Sequence, residues 1–329
     1  MTKLPVTFAC GPYDRTEALS LGIVQPEGIE LRYISIQSPP EMFARMVKTH
    51  SFDVSEMSLA HYFVMRLRDR APYVAIPVFP SRMFRHGYIF INTRSGIDSP
   101  TDLNHRRIGI RAYLQSSAVW IRGILAREYG VDLDTVRWVE GGVNMPGEPD
   151  EELNLPPIGK LLIDRAPAGR DLSGMLERGE VEAYLGALRP DSLRRGENVA
   201  RLFPDYREIE RAYYGKTRIH PIMNTIVMRQ ELYEANPWIA ESLYKACQDA
   251  KAWALKQMKF SGAQRWMLPW MFDEIAEMMD LFDGKPWPYG LEPNRPTLEL
   301  FMQFLADQKL IDAPAPVDEL FAPIVGWTE

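Results

Sequence analysis

Apolar runs with a two-residue period alternate along the chain with longer segments whose apolar positions follow a helical period. Residues 29–36 alternate apolar and polar side chains, which is typical of a half-buried strand. Residues 121–129 repeat apolar side chains at helical spacing, and Gly130 follows where such a helix should end. Alternating strand and helix units predict an α/β protein built mainly on parallel sheets.

Further elements follow from the same two periods. Short apolar runs that fit buried strands occupy residues 6–10, 52–55, 73–79, 88–91, 107–110, 136–139, 181–186 and 222–228. Two helices are predicted to start at prolines, one at Ser38-Pro39-Pro40 and one at Asn236-Pro237, because proline fits the first helical turn.

The order of these elements predicts two lobes. No repeat period is visible, so a solenoid or propeller is not expected. We expect lobe 1 to combine residues 1–92 with residues 216–329, and lobe 2 to comprise residues 93–215. A ligand cleft is then expected between the lobes, at the carboxyl ends of strands and the starts of helices.

Composition narrows the class of protein without changing this architecture. The chain has 329 residues, of which 46% are hydrophobic and 25% charged, with a formal net charge of −6. These values exclude a disordered chain. Basic side chains form no stripe, so nucleic acid is not an expected partner. No apolar run approaches the ~20 residues that a membrane span needs. The Met- and Trp-rich C-terminal region fits either a core or a contact in a homo-oligomer.

The amino-terminal residues and the cysteines suggest a compartment. Cys10 and Cys247 form no spacing motif, and two free thiols suit a reducing environment. The apolar run in residues 1–10 is too short and too polar for the core of a signal peptide, so it is interpreted as the first strand. We therefore expect a cytoplasmic protein.

Several kinds of chemistry lack their usual sequence signals. There is no glycine-rich dinucleotide motif, phosphate loop or Gly-x-Ser-x-Gly elbow. The five histidines form no metal-binding spacing, so no metal site is predicted. They are His50, His61, His86, His105 and His220.

Polar side chains at strand ends are the first candidates for a site. Glu56 and Ser58 lie in the segment Ser-Glu-Met-Ser, directly after a short strand, and could project into the cleft. The alternative is that a serine of this segment only caps the next helix. Ser116 and Ser117 lie at another helix start, where hydroxyl and free N–H groups can bind an anion. Capping alone would also explain these two serines.

Two further segments carry cations or histidine. Arg82, Arg85 and His86 lie close together between two apolar strands. Arginine grips carboxylates bidentately, and histidine carries protons near neutral pH. The alternative is a solvated turn. His220 and Asn224 lie where the chain would return to lobe 1, and His220 could equally be a hinge residue bonded to backbone. Together these segments predict a pocket for a small, aromatic carboxylate.

Four segments resemble the 4,5-dihydroxyphthalate decarboxylase family, and the resemblance spans nearly the whole chain. They are Ser55-Glu56-Met57-Ser58, residues 80–92, Pro221-Ile222-Met223 and residues 281–290. The resemblance implies a type II periplasmic binding protein-like fold with a cleft between two α/β lobes. It also implies non-oxidative decarboxylation of a dihydroxylated aromatic acid without an organic cofactor.

One position departs from the family pattern, which often reads Pro-Ile-Met-His. Asn224 stands here in place of that histidine. If the family histidine transfers a proton, this protein has lost that role, has moved it to His220, or relies on His86 for it.

The implied reaction gives each candidate a hypothetical role. A general acid protonates the ring carbon that bears the leaving carboxylate, and CO2 loss restores aromaticity; His220 is the first choice and His86 the second. Arg82 and Arg85 would hold the other carboxylate, since gripping the departing one would stabilise the ground state. Glu56 would take a phenolic proton. Ligand contacts would come from the remaining candidates, Ser58, Ser116, Ser117 and Asn224.

Two rival functions fit the same residues. A non-catalytic solute-binding protein, such as a transporter receptor or sensor, would close on an aromatic carboxylate without chemistry. The missing export signal counts against a periplasmic receptor, whereas Asn224 counts against the family reaction. A related lyase that acts on another hydroxylated aromatic acid fits equally well.

Overall fold

A computed structural model describes residues 2–68, 71–147, 155–158, 161, 163–195 and 198–324. The described strands form two separate sheets. In chain order the strands are β1 (Leu4–Cys10), β2 (Ile29–Ser35), β3 (Val54–Ser58), β4 (Tyr73–Arg82), β5 (Ile89–Asn92), β6 (Arg107–Ile110), β7 (Arg137–Glu140), β8 (Ile163–Arg165), β9 (Ala183–Leu185), β10 (Val199–Arg201) and β11 (Ile222–Arg229).

Helices cover the sheets and connect their strands. They are α1 (Asp14–Ser20), α2 (Pro39–Thr49), α3 (Leu59–Leu67), α4 (Ser116–Tyr129), α5 (Leu172–Arg178), α6 (Ser192–Arg195), α7 (Tyr206–Thr217), α8 (Gln230–Ala235), α9 (Ile239–Met258), α10 (Met271–Leu281) and α11 (Arg295–Asp307). Pro39 opens α2, and Gly130 ends α4 with a φ of 71°, both as the sequence predicts.

The first sheet has the strand order β2-β1-β3-β11-β4. β1 is parallel to both β2 and β3, whereas β11 runs antiparallel between β3 and β4. The chain therefore leaves this sheet after β4 and returns to it about 140 residues later as β11, the long-range crossover that a two-lobed α/β fold requires.

The second sheet has the order β10-β5-β9-β6-β7-β8. β6, β7, β8 and β9 are parallel, and β5 is antiparallel to its neighbours β9 and β10. The predicted lobe boundary at residue 92 falls at the end of β5. Strand pairing instead puts all of β5 in the second sheet, so the chain crosses between Arg82 and Ile89. The apolar patterns of β4 and β5 are alike, and nothing in them specifies which sheet each strand joins.

Two hydrophobic clusters form the core. The larger one includes side chains from both sheets and from α3, α4, α9 and α11, and the smaller one lies beside β9 and α5. Trp120 of α4 packs against Phe301 of α11, with ring centroids 5.0 Å apart, and donates a hydrogen bond to the Ile222 carbonyl oxygen. These contacts fix the start of α4 close to the end of the first sheet. No helix in the described part of the chain is long and apolar enough to cross a membrane.

Candidate active site

Strand ends of the first sheet meet the start of α4, where the sequence predicts the cleft. Ser58 ends β3 and Ser116 begins α4, and their Oγ atoms are 2.8 Å apart. Ser116 Oγ also accepts a hydrogen bond from the Ala60 backbone N–H, at 3.0 Å. The two predicted serines thus come together and join the two lobes. Their hydroxyls are already engaged with protein groups.

Glu56 is the centre of the wall that the first lobe contributes. It is buried on β3 and is hydrogen-bonded on both carboxylate oxygens. Oε1 accepts from Tyr13 Oη at 2.8 Å and from Asn224 Nδ2 at 2.6 Å. Oε2 accepts from the Gly11 backbone N–H at 2.9 Å and from Cys10 Sγ at 3.5 Å. This set, Glu56 with its four donors, is called the carboxylate network below.

Strand order explains how this network assembles. β3 lies between β1 and β11, so its central side chain can meet the end of β1 on one side and β11 on the other. Burial, and then the Glu56 charge, raise the pKa values of Tyr13 and Cys10. Both groups therefore stay protonated and act as donors, and the Glu56 charge is stabilised without a cation in contact.

Arg85 is a second buried charge, outside the carboxylate network. The chain between β4 and β5 places it, and its residue is only 5% exposed. Its Nε and Nη1 atoms have no hydrogen-bond partner. The charge of buried Glu210, which accepts from the Gly87 backbone N–H at 3.1 Å, acts on the guanidinium, but the two groups form no ion pair among the described residues. The guanidinium lies over the Tyr88 ring, 5.0 Å from the centroid. Burial lowers the Arg85 pKa to about 10, so the group stays charged at neutral pH.

Three more buried polar atoms have unused hydrogen-bonding capacity. They are Tyr184 Oη on β9, Gln115 Oε1 before α4 and Ser117 Oγ in the first turn of α4. The Leu188 backbone N–H lies within reach of the Tyr184 hydroxyl oxygen, and the positive charge of Arg85 also acts on this phenol. The phenolic proton has no acceptor among the described residues. The set Arg85, Tyr184, Gln115 and Ser117 is called the unpartnered wall below. Buried polar groups without partners are rare in proteins, and each needs an explanation, such as a bound water, ion or ligand.

Arg82 is buried as well, but both of its terminal nitrogens donate to the protein. It donates to the carbonyl oxygens of His220, at 3.4 Å, and Pro288, at 2.7 Å. It also donates to Asn294 Oδ1, which lies just before α11. In this structure Arg82 therefore holds the chain around His220 in place. Of these two arginines, Arg85 holds more of the donors that no described protein group uses.

His220 lies in an aromatic sandwich. Its ring stacks on Phe84 and Phe282, with centroid distances of 4.7 and 4.8 Å, and meets the edge of Trp287 at 5.5 Å. Nδ1 is buried without a partner. Burial, and then the charge of Arg82, lower the His220 pKa, so the ring is neutral at pH 7.

His86 occupies a different aromatic pocket. Its ring packs against Tyr129, Phe203 and Tyr213, with centroid distances of 5.9, 5.6 and 5.3 Å. Neither ring nitrogen has a partner, and burial lowers the His86 pKa to about 4. The structure therefore keeps the two histidines apart, each in its own aromatic shell.

The structure brings some predicted residues together and adds others that the sequence missed. Glu56 joins Asn224, Ser58 joins Ser116, and Arg82 joins the His220 backbone. Tyr13 and Tyr184 were missed. Tyr13 follows the end of the first strand, which is a usable signal, whereas Tyr184 lies inside an apolar strand and gives none. No group of three or more His, Cys, Asp or Glu side chains in the described ranges is arranged to hold a metal ion.

Comparison with known proteins now identifies the family. No family model matches the chain. It is 34% identical over 324 residues to a 4,5-dihydroxyphthalate decarboxylase of Comamonas testosteroni, covering 98% of each chain. The chain belongs to the 4,5-dihydroxyphthalate decarboxylase family. A protein of the same name from Pseudomonas putida is 37% identical over 207 residues, which cover 62% of this chain and 79% of that one.

Solved structures confirm the fold predicted for this decarboxylase family member. The periplasmic aliphatic sulphonate binding protein SsuA of Escherichia coli superposes with a TM-score of 0.55 over 98% of each chain, at 12% identity. The periplasmic sulfonate-binding protein SsuA of Methylobacillus flagellatus gives the same score and identity over 98% of this chain and 93% of that one. At this identity the likeness establishes the two-lobed fold alone.

Proposed function

We propose that this protein decarboxylates 4,5-dihydroxyphthalate, or a close hydroxylated analogue, without oxidation. Membership of the family supports the reaction, and the chemistry of the cleft supports the ligand class. The reaction replaces one ring carboxylate by hydrogen and releases CO2, so the site must hold an anion, supply a proton to a ring carbon and stabilise a phenol-derived charge.

The observation that carries the proposal is the buried, unpaired Arg85. An isolated charge removed from water is costly unless an opposite charge and hydrogen bonds compensate it. Nε and Nη1 of Arg85 are two unused donors on a planar fork, which matches a carboxylate. These atoms contact neither solvent nor protein acceptors, so a ligand reaches them after the lobes part. The retained carboxylate of the substrate then supplies the missing partner.

His220 is the general acid in this proposal. Its neutral resting state does not exclude the role, because a bound dianionic substrate raises the pKa of a neighbouring imidazole. The imidazolium gives its proton to the ring carbon that bears the leaving carboxylate. The carbon–carbon bond then breaks, its electrons return to the ring, and CO2 departs. His220 regains a proton from water. The aromatic sandwich of Phe84 and Phe282 fixes the imidazole plane.

Glu56 acts through Tyr13 rather than directly. All four of its hydrogen bonds are received from the protein, so no lone pair is set aside for the substrate. Tyr13 Oη can accept the phenolic proton of the substrate while its own proton moves to Glu56 Oε1. This relay raises electron density in the ring before protonation at carbon, and the proton returns from Glu56 through Tyr13 to the product phenolate. Asn224 keeps Glu56 in position.

The test uses the purified protein with 4,5-dihydroxyphthalate, following CO2 release and the ring absorbance. His220→Asn should lower kcat about 100-fold or more, because general acid catalysis contributes that much, while ligand binding measured by calorimetry is retained. His50→Asn, far from the cleft, is the matched control. Normal turnover by the His220 variant would remove this residue from the mechanism.

A non-catalytic binding protein remains the second candidate, favoured by the fold it shares with SsuA and by a resting His220 that is neutral. Ligand-dependent stabilisation without CO2 release from any hydroxylated aromatic acid would support it.

We also propose a cytoplasmic location, supported by the free, buried thiols of Cys10 and Cys247. Fractionation of the native host would test it.

A homo-oligomer is proposed as well, supported by apolar side chains that lie in water around the start of α10. Phe260, Met267, Leu268 and Trp270 are all more than half exposed. Such a cluster is unusual on a monomer surface. Sedimentation of the wild-type protein and of a Met267→Glu, Trp270→Glu double variant tests this: a smaller particle for the variant supports it, and a monomeric wild type contradicts it.

A further inference from the structure

Two oxygen atoms of the unpartnered wall border the same small space beside Gly186. A Cβ placed on Gly186 would lie 2.6 Å from Tyr184 Oη and 3.6 Å from Gln115 Oε1. Both oxygens are buried. In the described part of the chain, Gln115 Oε1 has no hydrogen-bond partner, and Tyr184 Oη is within reach of the Leu188 backbone N–H but has no acceptor for its own proton. Neither has a role in the mechanism above, so their unsatisfied state calls for its own explanation.

The chemistry of these two atoms distinguishes between ligand groups. The amide oxygen of Gln115 only accepts hydrogen bonds, whereas the phenol of Tyr184 both donates and accepts. A carboxylate would leave Gln115 Oε1 facing another acceptor. A ring hydroxyl can donate to Gln115 and accept from Tyr184, which satisfies both atoms at once. Arg85, by contrast, carries donors alone and suits the carboxylate.

We propose that Tyr184 and Gln115 bind a ring hydroxyl of the substrate and so make the site selective for hydroxylated aromatic acids. This inference rests on the proposed function for the identity of the ligand. Gly186 keeps the backbone of the strand end clear of the phenol, so that the Tyr184 hydroxyl can face the ligand.

The Tyr184 ring is held independently of its hydroxyl. It stacks on Phe90 with a centroid distance of 6.1 Å and an interplanar angle of 14°, inside the smaller hydrophobic cluster. Tyr184→Phe should therefore fold normally. A site built to hydrogen-bond a hydroxyl discriminates against ligands that lack it, because the protein groups are then left unpaired.

The experiment compares two ligands that differ only in their hydroxyls, phthalate and 4,5-dihydroxyphthalate. Binding is measured by calorimetry in the His220→Asn background, to suppress turnover. Tyr184→Phe and Gln115→Leu should each weaken binding of 4,5-dihydroxyphthalate about tenfold and leave phthalate binding unchanged. Gly186→Ala, which displaces the phenol, should act in the same way. Tyr73→Phe and Gly215→Ala, both remote from the cleft, are the matched controls.

The outcomes separate this inference from the proposed function. Equal effects of the variants on both ligands, or no effect on either, would overturn it. A wild type that prefers the hydroxylated acid through Tyr184 but releases no CO2 would overturn the decarboxylation and support the hydroxyl site. A protein that binds neither ligand would overturn both.

Discussion

The two walls of the cleft differ in how their polar groups are satisfied. In the carboxylate network, Glu56 receives four hydrogen bonds from the first lobe. In the unpartnered wall, Arg85, Tyr184, Gln115 and Ser117 each hold at least one buried polar atom with unused hydrogen-bonding capacity. The first arrangement stabilises the resting protein, whereas the second costs stability unless a ligand is present. The difference fits the proposal that the first wall handles protons and that the second binds the ligand.

The largest expected effect comes from removing the charge of the unpartnered wall. Arg85→Met should lower kcat/KM for 4,5-dihydroxyphthalate about 100-fold, since a buried, charge-assisted carboxylate contact is lost, worth roughly 3 kcal/mol. Steady-state CO2 release measures the effect. Arg137→Met, an exposed arginine on β7, is the control. Similar kinetics for the two variants would show that Arg85 does not hold the substrate.

A change in the carboxylate network should alter the stability of the folded protein. In Glu56→Gln an amide NH2 group replaces one carboxylate oxygen, so the groups that donated to that oxygen lose their acceptor. The substitution should therefore lower the free energy of unfolding by about 2–3 kcal/mol. Urea unfolding monitored by fluorescence measures this. Glu30→Gln, an exposed residue on β2, should change little. A Glu56 variant as stable as the control would mean that the network does not stabilise the resting wall.

The pH dependence of the free energy of unfolding tests the burial of His86. The His86 pKa is about 4 in the folded protein, below the ordinary 6.5. The unfolded chain therefore binds more protons at low pH, and stability is lost as pH falls from about 6.5 towards 4. Between pH 7 and pH 5 the loss due to His86 is about 2 kcal/mol. His86→Phe should flatten the unfolding profile; the same slope in the variant would contradict the burial argument.

The smallest effect should come from Asn224. Asn224→Ala removes one of four donors to Glu56, and should lower the free energy of unfolding by about 1 kcal/mol. Urea unfolding beside Glu56→Gln measures it, and the smaller loss would rank the two residues. A loss as large as that of Glu56→Gln would make Asn224 the main support of the network.

The sequence predicted the first wall better than the second. Glu56 and Asn224 lie in regular strands, so strand periodicity and the crossover order were sufficient to bring them to one sheet. Arg82 and Arg85 lie three residues apart and look equivalent in sequence. They differ because Asn294 and Pro288, over 200 residues away, accept from Arg82 and leave Arg85 without partners. Contacts of that range depend on packing, which local patterns do not encode.

Unfolding of the Arg85→Met variant, with and without 4,5-dihydroxyphthalate, tests the comparison most directly. If the unpartnered wall costs stability for the sake of ligand binding, the variant without ligand should be at least as stable as the wild type. The ligand should then stabilise the wild type alone. A variant that is less stable without ligand, and is stabilised by ligand as much as the wild type, would contradict the account.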